Sequence, residues 1–260
     1  MRISRSGLPS YYLCKLGLDE NSDFAEKELK KEQVNINFCV HTPQKKACCV
    51  YVHLNEVGDR YFHAYINETP DEWLTSSELH EDPFQAGKIF YFGSGTLFHS
   101  TAKSTTEQAL NYARKYKNIV AFDTNIRLKR WDSEENCRDT ILTYIRKADI
   151  VKMAEDELLF LTEAKTINEG LMQLKKWDIP FLFITRGSDG AEVLHGGKTI
   201  TVPGLKVNSI DTTGAGDAFL STILYCFHEK GIPQNDHQLK EYLEIANEVG
   251  AKSTTKLGSL

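Results

Sequence analysis

From Lys88 onward, short apolar runs alternate with stretches whose apolar residues recur at helical spacing. That alternation predicts a mainly parallel sheet covered by helices, an α/β fold. Ile89-Phe90-Tyr91-Phe92, Ile119-Val120-Ala121-Phe122, Ile150-Val151-Lys152-Met153 and Phe181-Leu182-Phe183-Ile184 read as buried strands. Helices are predicted between them over residues 105–116, 134–146, 155–161 and 167–177. A hairpin follows, with strands over 191–194 and 199–202 joined by His195-Gly196-Gly197-Lys198.

The front of the chain has a different rhythm. Residues 2–6 read as the tail of a helix, Gly7-Leu8-Pro9 as a turn, and Tyr11-Tyr12-Leu13-Cys14 as strand-like. Residues 21–32 predict a helix with Asn21 or Ser22 as N-cap and with Phe24 and Leu29 available for packing. Short β runs then occupy 36–40, 47–54 and 61–65, with Glu56-Val57-Gly58-Asp59 turning the last two. This stretch predicts an antiparallel flap rather than part of the parallel sheet. No linker, low-complexity tract or repeat interrupts the chain, so a single domain over 1–260 with a small β lid at about 34–66 is expected. An α/β domain usually opens on a buried strand, and none precedes Gly7; the N-terminus is short or the fold begins on a helix.

Composition narrows the function classes. With 260 residues the chain can bury a sizeable core, and its 41% hydrophobic and 26% charged content is that of a soluble globular protein. Lys+Arg 31 against Asp+Glu 36 gives a net charge of -5, with no basic block to track nucleic-acid phosphates. No apolar run approaches the roughly 18 residues of a membrane span, and Met1-Arg2-Ile3-Ser4 is not followed by a signal-peptide core. The cysteines (Cys14, Cys39, Cys48, Cys49, Cys137, Cys226) form no CxxC pair and read as small apolar residues of a reduced, cytoplasmic protein.

The densest chemistry is Asp211-Thr212-Thr213-Gly214-Ala215-Gly216-Asp217, ahead of a buried-helix pattern at Ala218, Phe219, Thr222, Ile223, Cys226 and Phe227. Small residues at a helix start leave its N–H groups open to an anion such as a phosphate. Asp217, in the first turn, would accept a proton from a substrate hydroxyl; a capping acid favoured by the helix dipole has the same spelling. Asp123-Thr124-Asn125-Ile126-Arg127, with Trp131 after it, follows a strand, where open α/β sheets bind ligands. Arg127 suits a phosphate and Asn125 a sugar hydroxyl or a phosphate oxygen, although Asn and Asp also serve as plain turn residues. Thr185-Arg186-Gly187-Ser188-Asp189-Gly190 would let backbone approach a nucleotide phosphate or simply turn the chain. The acids of Lys152-Met153-Ala154-Glu155-Asp156-Glu157 suit a water-bridged magnesium ion or the dipole of a helix start.

On these residues the chain resembles the ribokinase-like (PfkB) carbohydrate kinases, most closely the fructokinase branch, over essentially its whole length. Asp211 to Phe219 matches the family's C-terminal signature, and Asp123 to Arg127 with Trp131 resembles the branch's Asp-Pro-Asn-x-Arg…Trp run, with Thr124 in place of proline. Phe92-Gly93-Ser94-Gly95 and Asn247-Glu248-Val249-Gly250 are similar as well. The resemblance implies a cytoplasmic ATP-dependent kinase making fructose 6-phosphate, in which Asp217 is the base and Gly214, Ala215 and Gly216 form the anion hole. It implies Arg127, Asn125 and Tyr65 at the sugar, with Thr185, Gly187 and Gly190 at the nucleotide phosphates and Val207 and Asn247 near adenine. Mg2+ would be required, influenced by Glu157 through water. K+ would sit near Asp211, Thr213, Ser253, Lys256 and Gly258. Separately from the resemblance, a flap that is partly apolar on both faces hints at a homodimer through the lid.

Three further features depart from the family pattern. Asn-x-x-Glu appears as Ala154-Glu155-Asp156-Glu157. Ile66, not Arg, follows Tyr65, which favours a neutral sugar over 2-keto-3-deoxygluconate. The family's first strand with its sugar-binding Asp, and its Gly-Gly sugar loop, would precede Arg2. The other readings are a kinase for 2-keto-3-deoxygluconate, ribose or a nucleoside, and a non-catalytic, truncated relative that binds nucleotide.

Overall fold

A computed structural model describes residues 1–44, 46–54, 60–66 and 74–258. The chain divides into two compact units, one of Met1, Ile3–Pro83 and His99–Ala109, the other of Arg2, Phe84–Phe98 and Leu110–Leu260.

The first unit begins with a short helix, α1 (Arg2–Arg5), and its Arg5 pairs with Glu32. β1 (Lys15–Leu16) runs into helix α2 (Glu20–Lys31). The N-cap of α2 is Asp19, not Asn21 or Ser22: its carboxylate accepts from Asn21 N at 3.2 Å and from the Ser22 hydroxyl at 2.8 Å. Phe24 faces solvent, 66% exposed, instead of packing. β2 (Val40–His41) pairs with β1 in parallel. The strand expected over 36–40 is therefore mostly a turn. Asn35 Oδ1 accepts from Asn37 N at 2.9 Å, and Cys39 N bonds the Ile36 carbonyl at 2.9 Å, so a local side-chain turn outcompetes a ladder there.

β3 (Cys49–Leu54) and β4 (Arg60–Ile66) form the antiparallel ribbon that the alternation predicts, with a register shift between Tyr51 and Val52. The turn expected at Glu56 to Asp59 lies outside the described residues. Lys15, itself buried, forms an ion pair with Glu78 in the same unit.

Helix α3 (Asp82–Ala86), for which the sequence showed no periodicity, leads into β5 (Ile89–Gly93). Helix α4 (Ser100–Lys115) starts five residues before the apolar pattern does, because its first turn is small and polar. The second unit then alternates: β6 (Ile119–Asp123), α5 (Glu134–Ile145), β7 (Ile150–Ala154), α6 (Glu155–Thr162), α7 (Ile167–Lys175) and β8 (Phe181–Thr185). The hairpin β9 (Ala191–His195) and β10 (Lys198–Val202), α8 (Ala215–Lys230) and α9 (Asp236–Ser253) complete it. The six strands are ordered β10-β9-β8-β7-β6-β5. The pairs from β5 to β8 are parallel and the hairpin is antiparallel, as its apolar pattern predicts.

Register sorts the side chains between the two faces. Phe92, Phe122, Val151 and Leu182 share one row. Phe92 stacks on Phe122 at 4.7 Å and meets Tyr144 of α5 edge to face at 6.1 Å. The next row, Gly93, Asp123, Lys152 and Phe183, faces the other way, and Phe183 packs against Phe219 of α8 at 6.1 Å. Burying each such aromatic contributes about 1.5–3 kcal/mol. The same pleat that builds the core therefore turns an acid and a lysine toward α8.

Candidate active site at the carboxyl ends of the strands

Four sequence motifs of the second unit converge at the carboxyl ends of its parallel strands and the start of α8. Beneath them lies an ion pair that no sequence motif marks. Lys152 Nζ lies 3.3 Å from Asp123 Oδ1, and both residues are buried. Burial pushes the Asp123 carboxyl up to about 6; Lys152 opposes that shift, while Glu157 and Asp217 add to it. A lysine inside an otherwise apolar strand was the available signal, since a buried charge requires a partner.

Above Lys152 the chain enters α8 through Gly214, whose φ of 76° is a left-handed conformation that a side chain would strain. Gly216 is needed for a different reason: a Cβ there would stand 2.9 Å from Lys152 Nζ. Within this helix start, Ala215 N–H points at the Thr212 carbonyl at 3.2 Å. The remaining first-turn N–H groups have no intrahelical partner by the geometry of a helix. Asp217 sits in that turn and is exposed.

Asp211 anchors the approach to this turn. Its carboxylate accepts from Thr213 N at 2.9 Å and from Gly258 N at 2.8 Å. The Thr254 carbonyl accepts from Ile210 N at 2.7 Å and Asp211 N at 3.0 Å. Asp211, Thr213 and Gly258 thus meet, and the segment carrying Ser253 and Lys256 joins them through Thr254.

Beyond β6 the loop is stapled by Glu157. This carboxylate accepts from the Thr124 hydroxyl at 2.7 Å, from Ile126 N at 2.5 Å and from Ala154 N at 2.8 Å. Thr124 and Ala154, two of the departures from the family pattern, both meet at this one acid. Asn125, between two stapled residues, is held at φ 30°, and its carbonyl accepts from Ser94 Oγ at 3.2 Å. Asn125 and Arg127 are exposed. Trp131 meets Phe98 edge to face at 6.1 Å.

The loop after β8 holds Thr185, whose hydroxyl approaches the Met153 carbonyl at 3.5 Å, and Gly187, which is exposed. Gly190 is buried against the chain itself: a Cβ there would fall 2.1 Å from the Val202 carbonyl oxygen. Arg186 pairs with Glu192 at 2.8 Å and Glu155 at 3.5 Å. Asn247 of α9 donates to the Pro203 carbonyl at 2.9 Å, in the segment that carries Val207. Tyr65 lies on β4, opposite Val50, in the first unit.

Among the described residues, no group of three or more His, Cys, Asp or Glu side chains could hold a metal ion. Glu157 offers about four acceptor positions, of which the protein takes three, so one remains for a water. No helix among the described residues is long and apolar enough to cross a membrane.

The pattern of the pfkB family carbohydrate kinases matches residues 1–260. Fructokinase-2 of Oryza sativa subsp. japonica is 34% identical over 261 residues, covering 99% of this chain and 77% of the rice protein. The crystal structure of fructokinase from Vibrio cholerae O395 bound to fructose, ADP and calcium is similar with a TM-score of 0.88 and 29% identity, over 99% of this chain and 83% of that one. A double mutant of the same Vibrio enzyme, bound to fructose, ADP and potassium, is similar at TM-score 0.88 and 30% identity, over 99% and 82% of the two chains.

Proposed function

The chain belongs to the pfkB family of carbohydrate kinases, and we propose that it transfers the γ-phosphoryl group of ATP to a hydroxyl of fructose, giving fructose 6-phosphate. The observation that carries this reading is the start of α8: a carboxylate, Asp217, stands in the same turn as backbone N–H groups that have no intrahelical partner, above the buried Lys152–Asp123 pair. Fructose is favoured over other sugars by the fructokinase relatives and, against an acidic sugar, by Ile66 after Tyr65.

Phosphoryl transfer asks a protein for position and charge rather than covalent chemistry. Asp217 takes the proton from the attacking sugar hydroxyl. The N–H groups of Gly214 and Gly216 stabilise the negative charge spread over the transferred group's oxygens, with the helix dipole aligned to help, while the Ala215 N–H expected beside them donates to the Thr212 carbonyl instead. Gly216 contributes by omission, since a side chain there would displace the lysine below. Arg127 and Asn125 orient the sugar and the phosphoryl group, and the Glu157 staple keeps their loop from drifting. Thr185 and Gly187 receive the nucleotide phosphates, and Val207 and Asn247 flank the adenine. Gly190 serves the turn rather than the nucleotide.

Magnesium, when bound, neutralises triphosphate charge. Glu157 would influence it through the one water its carboxylate has room for. Potassium fits the oxygen-rich junction of Asp211, Thr213 and the 253–258 segment.

The test is ATP-dependent phosphorylation of a panel of fructose, ribose, a nucleoside and 2-keto-3-deoxygluconate by the chain and by Asp217→Asn. Fructose is expected to be the best acceptor, and the variant to lose about 10²–10⁴-fold in kcat while its melting temperature stays put. A preference for another sugar overturns the substrate. ATP binding without turnover of any sugar overturns the activity.

A further inference from the structure

Two thiols face each other across the β1–β2 pair of the first unit. Cys14 and Cys39 immediately precede Lys15 and Val40, which are parallel register partners. Val40 N–H donates to the Cys14 carbonyl at 2.9 Å, so the register extends back to these residues and turns both side chains to one face. Their Sγ atoms stand 3.4 Å apart.

Neighbouring strands are about 4.8 Å apart, inside the roughly 4.4–6.8 Å that separates the Cα atoms of a disulfide. Closing the remaining gap to a bond of about 2.05 Å takes side-chain rotation and leaves the backbone in place. Access is unequal: Cys14 is 1% exposed, whereas Cys39 is partly exposed and donates to the Tyr12 carbonyl at 3.2 Å. The contrast with the second unit is sharp. Cys137 and Cys226 are buried, and burial pushes both thiols up, that of Cys137 to about 11.

We propose that Cys14 and Cys39 are a dithiol oxidation site, which a small-molecule disulfide converts into an intramolecular disulfide. The Cys39 thiolate attacks one sulfur of the reagent, its S–S bond breaks, and one reagent thiol leaves. The Cys14 thiolate then attacks the Cys39 sulfur, and the second reagent thiol leaves. Two protein thiols are oxidised, one reagent disulfide is reduced to two thiols, and the two protein protons end on those leaving groups. The new bond closes a loop from residue 14 to residue 39 that contains all of α2, and it fixes the chain ten residues before β3 begins.

The experiment incubates the full chain with oxidised glutathione, then maps its peptides by mass spectrometry and measures melting. The expected result is a Cys14–Cys39 cross-linked peptide, a melting temperature higher by roughly 5–10 °C, and reversal of both by dithiothreitol. Cys14→Ser should leave Cys39 carrying one glutathione with no rise in melting temperature, and Cys39→Ser should leave Cys14 unmodified. A persistent glutathione on Cys39 in the unmutated chain overturns the proposal. So does a cross-link through Cys48 or Cys49, or retention of both thiols.

Discussion

Asp123 and Asp19 show two ways of placing an acid. Asp123 stands in a six-stranded sheet, in register with Gly93 on one side and Lys152 on the other, so backbone ladders set its position. Asp19 belongs to a unit whose sheets have two strands each. There the carboxylate itself gathers the chain, capping α2 and accepting from Ala47 N at 3.0 Å. In the second unit the backbone places the side chains and the side chains balance charge. In the first, side chains hold the backbone.

The largest expected break in that contrast is Lys152→Met. It leaves Asp123 buried without its cation and should cost about 3–5 kcal/mol, lowering the melting temperature by roughly 10 °C. The same variant tests the charge balance directly. Asp123 should titrate near 6 in the unmutated chain and higher in the variant, read from its carboxyl carbon by NMR. Its folded value lies above that of the unfolded chain, so ionising Asp123 costs native stability as pH rises from about 4 to about 6, and the loss is complete above that range. An unchanged midpoint would mean that Lys152 does not balance this acid.

Glu157→Ala comes next. It removes the acceptor of three donors and should cost about 2–3 kcal/mol. Because the backbone around Asn125 loses its staple, the KM for the sugar should rise about tenfold while kcat falls less. A loss confined to kcat would place Glu157 at the phosphoryl group instead of behind the sugar loop. The smallest effect is Asp19→Ala, about 1 kcal/mol, with faster amide exchange at Asn21, Ser22 and Ala47. If it matched Lys152→Met in size, the two units would not differ in the way described.

Much of this was legible from the chain alone. The four parallel strands and the hairpin repeat local patterns that need no partner to be read, and the run from Asp211 to Asp217 announces its helix start directly. Sequence fails where one segment answers another. Nothing in Val151-Lys152-Met153 names Asp123 as the partner, because the register between β6 and β7 is a tertiary fact. The cap of α2 lies two or three residues ahead of the expected one because Asp19, Asn21 and Ser22 all have capping side chains, and only the fold selects Asp19. The strand expected at 36–40 was lost to the side chain of Asn35, a competition that apolar alternation does not register. Helix α9 gave no readable stripe beyond its Asn247–Gly250 signature.

The Glu157 staple also bears on how the protein tolerates recombination. Two of its three donors come from the loop after β6 and the third from the start of α6. Loop and acid therefore form one transferable cassette, even though about thirty residues separate them in the chain. Residues 123–127 of this chain, grafted onto another scaffold, arrive without their acceptor unless Glu157 travels with them. Crossover points between 127 and 154 split the cassette, and those before 123 or after 157 leave it whole.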